Sequence, residues 1–201
     1  MFTGLITDIG EILEIRQQGD TWLKIACSYE PESIAEGASI CCSGACLTAL
    51  ERVSESGRSW FSVEASQETL DKTTLGTWQV GTKINLERSL CLGDELGGHL
   101  VSGHVDGVGV ITAIEPEGAS KRFSFKAPEE LAKFIAPKGS IALNGTSLTV
   151  NEVSGAEFGV NLIPHSLEVT TWGDAAVGDQ VNIEIDMLAR YVARLAEFQK
   201  V

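Results

Sequence analysis

Gly37-Ala-Ser-Ile-Cys-Cys-Ser-Gly-Ala-Cys-Leu-Thr48 returns later in the chain as Lys138-Gly-Ser-Ile-Ala-Leu-Asn-Gly-Thr-Ser-Leu-Thr149. Gly44 and Gly145, Cys46 and Ser147, and Thr48 and Thr149 are each 101 positions apart. The echo continues downstream, where Glu68-Thr-Leu-Asp-Lys-Thr-Thr-Leu-Gly76 matches His165-Ser-Leu-Glu-Val-Thr-Thr-Trp-Gly173. Gly81-Thr-Lys-Ile-Asn-Leu-Glu87 likewise matches Gly178-Asp-Gln-Val-Asn-Ile-Glu184, and Phe2-Thr-Gly4 with Gly10 pairs with Val101-Ser-Gly103 with Gly109. This period lies far above the ~20–50 residues of solenoids and propellers, so it marks two duplicated domains. Two similar domains imply two similar sites, and a reaction between two like molecules uses both.

The bulk numbers agree with that division. A chain of 201 residues fits two domains of roughly 100 residues each. With 43% hydrophobic and 21% charged residues, neither disorder nor a fibre is expected. A net charge of −13 argues against nucleic acid, whose phosphates require Lys and Arg, and against an anionic membrane surface. No apolar run reaches the ~18–20 residues that span a bilayer. Met1-Phe-Thr-Gly-Leu-Ile-Thr-Asp8 has neither a basic start nor a small-residue cleavage site, so no signal peptide is read here. Five cysteines, an odd count without a secretion signal, point to reduced thiols in a cytoplasm. Cys41, Cys42 and Cys46 lie close together, but the nearest histidine is His99 and no fourth ligand has finger-like spacing; no metal is expected.

Short β-branched or alternating runs separated by Gly, Asp, Asn and Ser dominate both halves. They include Trp22–Ala26, Ser59–Val63, Lys83–Leu86, Val108–Thr112, Ser140–Leu143, Ser147–Val150, Gly159–Ile163 and Gln180–Ile185. About six short strands per ~100 residues predict a small antiparallel barrel or sandwich, and closing a barrel removes exposed edges. The division expected is a first unit over 1–97, a second over 98–186, and a C-terminal segment over 187–201. Pro128-Glu-Glu-Leu-Ala-Lys-Phe-Ile135 predicts a short helix. In Met187–Phe198, Leu188, Tyr191, Val192 and Leu195 fall at i, i+3, i+4 and i+7, an apolar helical stripe. That stripe packs either on its own barrel or, having no counterpart in the first repeat, against another subunit.

Few residues invite chemistry. His99 and His104 are five apart in Gly98-His-Leu-Val-Ser-Gly-His104, which on a strand puts them on opposite faces and excludes a metal pair. His104 stands where the first repeat has Leu5, so one copy has a titratable group where the other has aliphatic carbon. Cys46 against Ser147 is a second asymmetry, a thiol facing a hydroxyl. Thr48 and Thr149 lie two positions further on the same strand face, able to bond a polar ring. Lys138 is either a solvated charge or an anion partner, and Asp186 suffices as a cap for the terminal helix.

Taken together, these residues resemble those of the riboflavin synthases, over essentially the whole chain. The marks are Met1-Phe-Thr-Gly4, the two Gly-x-x-Leu-Thr elements at Gly44 and Gly145, Leu96–Asp106, Leu162–Thr171 and Val181–Asp186. The resemblance implies an all-β fold of two similar six-stranded antiparallel Greek-key barrels plus a C-terminal helix. It implies dismutation of two 6,7-dimethyl-8-ribityllumazine molecules with no cofactor and no metal. It also implies a homotrimer whose active site lies between the first barrel of one subunit and the second barrel of a neighbour. Association with a lumazine synthase is left open.

Position by position, the resemblance places Gly4, Leu5, Ile6, Ser39, Cys46, Leu47, Thr48, Glu64, Ala65, Ser66, Gln67, Glu68, Thr69, Gly103, His104 and Val105 in a first-barrel pocket. It places Lys138, Ser147, Leu148, Thr149, Asn161, Leu162, Ile163, Pro164, His165 and Ser166 in a second. His104, Cys46 and Ser39 are expected to assist proton transfer, and Ser147 and Asp186 to serve the partner molecule. Ser43 departs from the family's Asn, which the second copy keeps as Asn144. Two rival readings are a lumazine- or flavin-binding antenna without catalysis and a flavin barrel from an oxidoreductase. The last needs a nucleotide-binding partner domain, and no Gly-x-Gly-x-x-Gly is present.

Overall fold

The structure, a computed structural model, describes residues 1–55 and 57–198. The first unit holds β1 (Asp8–Gln18), β2 (Asp20–Cys27), β3 (Ser39–Cys42), β4 (Ala45–Thr48), β5 (Arg52–Glu55), β6 (Arg58–Ala65), α1 (Gln67–Lys72) and β7 (Lys83–Arg88). The second holds β8 (Gly107–Glu117), β9 (Ser120–Lys126), β10 (Ser140–Leu143), β11 (Thr146–Ser154), β12 (Glu157–Leu162), α2 (Pro164–Val169) and β13 (Gln180–Ile185). The terminal helix α3 (Met187–Phe198) follows.

In the second unit the strands close into a barrel, β10-β11-β12-β9-β8-β13, all antiparallel. The first unit repeats that order as a seven-stranded sheet, β4-β3-β7-β1-β2-β6-β5. The extra strand arises because the counterpart of β11 is split into β4 and β5. The split falls where β11 itself shifts register, between Val150 and Val153. Chain continuity and the bonds Leu50 N–H to Ser62 O and Ser62 N–H to Glu51 O, both 2.9 Å, bridge the two ends. The expected helix at Pro128–Ile135 is instead a 3-10 turn over Glu129–Phe134, with Pro128 just before it. At about 3.0 residues per turn these six residues make roughly two tight turns.

Each unit has its own core. Phe123, Phe125, Phe158 and Trp172 pack in the second barrel, with Trp172 edge-on to Phe123 at 5.7 Å between centroids. The first core contains Ile12, Leu23, Ile25, Phe61, Val63 and Leu86. A third, small cluster of Phe2, Cys41, Val101 and Ala142 joins the two.

The units are related by pairs of equivalent residues that face each other. The two-residue turns Ser43-Gly44 and Asn144-Gly145 all have positive φ (44°, 91°, 45° and 79°), the hairpin conformation whose twist matches the strands. They meet backbone to backbone. A Cβ on Gly44 would lie 3.0 Å from Gly145 N, and one on Gly145 2.9 Å from Gly44 N. Asn182 in β13 accepts from Thr74 N–H (2.7 Å) and donates to Ser43 O (2.8 Å), both in the first unit. Asn85 in β7 returns the pattern, accepting from Thr171 N–H (2.8 Å) and donating to Asn144 O (3.0 Å). Ser43 replaces the asparagine of its twin at little loss. Its hydroxyl accepts from Asn85 N–H (3.1 Å), as the Asn144 amide oxygen does from Asn182 N–H (2.8 Å).

Candidate functional site

The entry segments of the two units cross over. Phe2 and Val101 exchange backbone bonds of 2.8 and 3.1 Å, and from that bridge each segment runs onto the other unit's hairpin. Cys46 N–H donates to Gly103 O at 2.8 Å, and Ser147 N–H donates to Gly4 O at 2.8 Å. These contacts leave no room for a side chain at either glycine. A Cβ on Gly103 would lie 2.6 Å from the Cys46 Cβ, and one on Gly4 2.5 Å from the Ser147 Cβ.

Two buried carboxylates hold these segments. Glu87, on β7, accepts from Thr3 N–H and hydroxyl (both 2.7 Å) and from Gly4 N–H (2.9 Å). Glu184, on β13, accepts from Ser102 N–H (2.6 Å) and hydroxyl (2.7 Å), Gly103 N–H (2.8 Å) and His104 N–H (3.1 Å). They are 4% and 2% exposed. Burial raises the Glu87 carboxyl above the usual carboxylate range, opposed by the Thr3 and Gly4 donors.

At the first hairpin a cavity of about 260 Å³ is lined by Ala45, Cys46, Ser66, Glu68, Thr69, Lys72, Thr73, Gly103, His104 and Val105. It therefore gathers Cys46, Ser66, Glu68, Thr69, Gly103, His104 and Val105 from the sequence expectation. Its neighbours Cys41 and Cys42 are buried, and burial pushes both thiols well up, which makes them inert. Cys46 is the thiol of this hairpin that opens to the cavity. Ser66 starts α1, its hydroxyl accepting from Thr69 N–H at 3.3 Å, which aims Glu68, Thr69 and Lys72 along the cavity wall.

Other expected residues of this pocket lie elsewhere. Gly4 sits against Ser147 at the second hairpin, which corrects its first-barrel assignment, and Leu5 lines a separate cavity with Tyr29, Arg88 and Cys91. The reason is the crossover, which sequence equivalence does not reveal. Ser39 and Thr48 are cross-strand partners at the far end of the β3–β4 hairpin. Leu47 and Ala65 are core residues, Glu64 is exposed, and Gln67 donates to Asp71 at 2.8 Å.

At the second hairpin His99 Nδ1 and Ser147 Oγ are 2.7 Å apart. Sequence reasoning gave His99 no role, and its premise of a strand through both histidines fails: residues 98–106 hold no strand beyond the bridge at Val101. The two histidines nevertheless separate, His99 to Ser147 and His104 to the cavity at Cys46. Burial lowers the His99 pKa, and the negative charge of Asp186 opposes it. Asp186 also caps α3, accepting from Leu188 N–H at 2.9 Å. Asn161 Oδ1 is buried without a hydrogen-bond partner, a free acceptor on β12. Lys138 has φ +65°, uncommon for a side-chain-bearing residue, where the first repeat has Gly37 at +76°. Leu148 packs on the barrel core and Leu162 is within it, whereas Thr149 is exposed. Ile163, Pro164, His165 and Ser166 form the start of α2, with Ile163 54% exposed.

Comparison with known proteins adds the family context. The family described as "Lumazine binding domain" matches residues 3–89 and again 102–186. A riboflavin synthase of Brucella abortus (strain 2308) is 60% identical, over 100% of each chain. One from Mycobacterium tuberculosis (strain ATCC 25618 / H37Rv) is 40% identical over 97% of this chain and 98% of its own. Among solved structures, LumP complexed with 6,7-dimethyl-8-(1'-D-ribityl) lumazine superposes with a TM-score of 0.77 at 25% identity, covering 92% of this chain and 99% of LumP.

Proposed function

The chain belongs to the lumazine-binding-domain family, of which it carries two copies, and from that premise we propose that it is a riboflavin synthase. Two molecules of 6,7-dimethyl-8-ribityllumazine dismutate. One gives a four-carbon unit to the other, producing riboflavin and 5-amino-6-ribitylamino-pyrimidinedione, the last step of riboflavin biosynthesis. The reaction is a group transfer without cofactor. The observation that carries the reading is similarity to riboflavin synthases from end to end.

The chemistry starts at the ring's C7 methyl, which conjugation makes acidic. Loss of its proton leaves a delocalised exomethylene anion. His104 and Cys46, both at the cavity, assist that proton transfer and polarise the ring. Ser147, bonded to His99, and Asp186 serve the partner molecule. Holding two bicycles face to face removes several kcal/mol of the barrier by orientation alone. The subunits form a homotrimer through α3, whose apolar stripe is unburied, so that the first unit of one chain meets the second unit of its neighbour. No helix among the described residues is long and apolar enough to cross a membrane, and the reading places the enzyme in the cytoplasm. A lumazine synthase is a partner this reading allows.

Incubating the purified chain with the lumazine and separating the products tests this. Riboflavin forming faster than in a protein-free control supports the synthase. Tight binding without riboflavin would favour the alternative of a non-catalytic binding protein, since the similar LumP has been solved with riboflavin and with the lumazine bound.

A further inference from the structure

We propose that Glu184, on the last strand of the second unit, is the positioning residue of the first unit's site. It fixes the Ser102–His104 backbone so that His104 faces the cavity at Cys46. The proposal rests on reading that cavity as a substrate site. Glu184 belongs to neither the cavity lining nor the first unit. Both of its oxygens are consumed by the loop: Oε1 takes the Ser102 N–H and hydroxyl, and Oε2 takes the Gly103 and His104 N–H groups. Gly103 then presents its carbonyl to Cys46 N–H. The loop is thus gripped from one unit and docked on the other.

The chemistry demands a carboxylate. Four donors converge on Glu184, and only a group with two acceptor oxygens and no donor satisfies all of them. A glutamine would aim its amide N–H₂ at one donor pair and repel that half of the loop. An aspartate keeps the charge on a shorter stem and holds part of the set. Glu87 provides an internal control, being equally buried at the equivalent place and gripping Thr3 and Gly4, which dock on Ser147.

The test reads loop position without substrate. Cys46 is half-buried under the loop, so its alkylation by iodoacetamide, followed by peptide mass spectrometry in the intact protein, reports release of Gly103. Loss of two or more charge-assisted hydrogen bonds predicts Cys46 alkylation about tenfold faster or more in Glu184→Gln. Glu87→Gln should leave that rate within about twofold, because its loop lies on the other hairpin. Glu184→Asp should fall between wild type and Glu184→Gln, with turnover partly restored in parallel. If Glu184→Gln does not fold, Glu184→Asp alone must still alkylate faster at Cys46 than Glu87→Asp. Equal rates in the paired Glu184 and Glu87 variants, or no acceleration at Glu184, would overturn the proposal. A wild-type chain that forms no riboflavin would instead overturn the reaction and leave the alkylation result to stand by itself.

Discussion

Cys46 and Gly103 are joined across the two units, amide to carbonyl at 2.8 Å, and Ser147 and Gly4 repeat the bond in the other direction. Each hairpin is therefore completed by a loop from the opposite unit. The cavity at Cys46 is lined from both units, although each has its own hydrophobic core.

His104 bonds through its backbone, while its side chain is exposed at the cavity. His104→Gln should fold with a stability within about 0.5 kcal/mol of wild type. Turnover should fall by about 10²–10⁴, the usual worth of a general acid–base group. Steady-state kinetics beside thermal unfolding checks both, and full activity would retire His104 from proton transfer. Cys46→Ser probes the thiol in the same way, and unchanged turnover would remove it.

Asn182 is 1% exposed and serves one donor and one acceptor of the first unit. Asn182→Ala strands Thr74 N–H and Ser43 O, at about 1–3 kcal/mol for each group left unsatisfied. Urea unfolding should show a total loss of about 2–6 kcal/mol. Asn85→Ala should resemble it, since Asn85 makes the reciprocal pair of bonds.

Burial depresses the His99 pKa below the ordinary imidazole value of about 6.5. The unfolded chain then binds more protons than the folded one between the two values, so stability falls as pH drops from about 6.5 through the folded pKa. His99→Gln should remove that part of the acid-side loss. A thermal-unfolding series from neutral pH downward measures it, and an unchanged slope would contradict the assignment.

No residue of α3 is buried, and Leu188, Tyr191, Val192 and Leu195 are each between 64% and 68% exposed. Arg190 ties it to the second unit by a bidentate pair with the largely buried Asp106, at 2.8 and 2.9 Å. Deleting residues from 187 onward should leave both units folded but yield monomers with little turnover. Sedimentation and activity together check this, and a trimer that survives the deletion would contradict it.

The internal repeat made most of the fold legible. Ser140–Leu143, Gln180–Ile185 and Met187–Phe198 match β10, β13 and α3 to the residue, the first as a short apolar run between turns, the second by alternation and the third by its helical stripe. The residues 199–201 that close the expected C-terminal segment lie outside the described part. Less visible was which copy a residue serves. Repetition says that Gly4 and Gly103 are equivalent, but only the fold shows that each docks on the other's hairpin. Glu87 and Glu184 were readable in principle, as identical carboxylates at equivalent places of the repeat, and so were Asn85 and Asn182. Buried polar groups of that kind signal a hydrogen-bonding duty. Lys72 was missed because α1 has only six residues, too few for a helical period to stand out.

Complementation between two inactive variants tests the central claim most directly. His104→Gln disables the first-unit site and Ser147→Ala the second, and each alone should convert lumazine poorly. Co-refolded as mixed trimers, they should regain a substantial fraction of wild-type riboflavin formation, one mole for every two moles of lumazine consumed. An intact first unit of one chain then faces an intact second unit of another. A mixture no more active than its two components would contradict a site shared between chains.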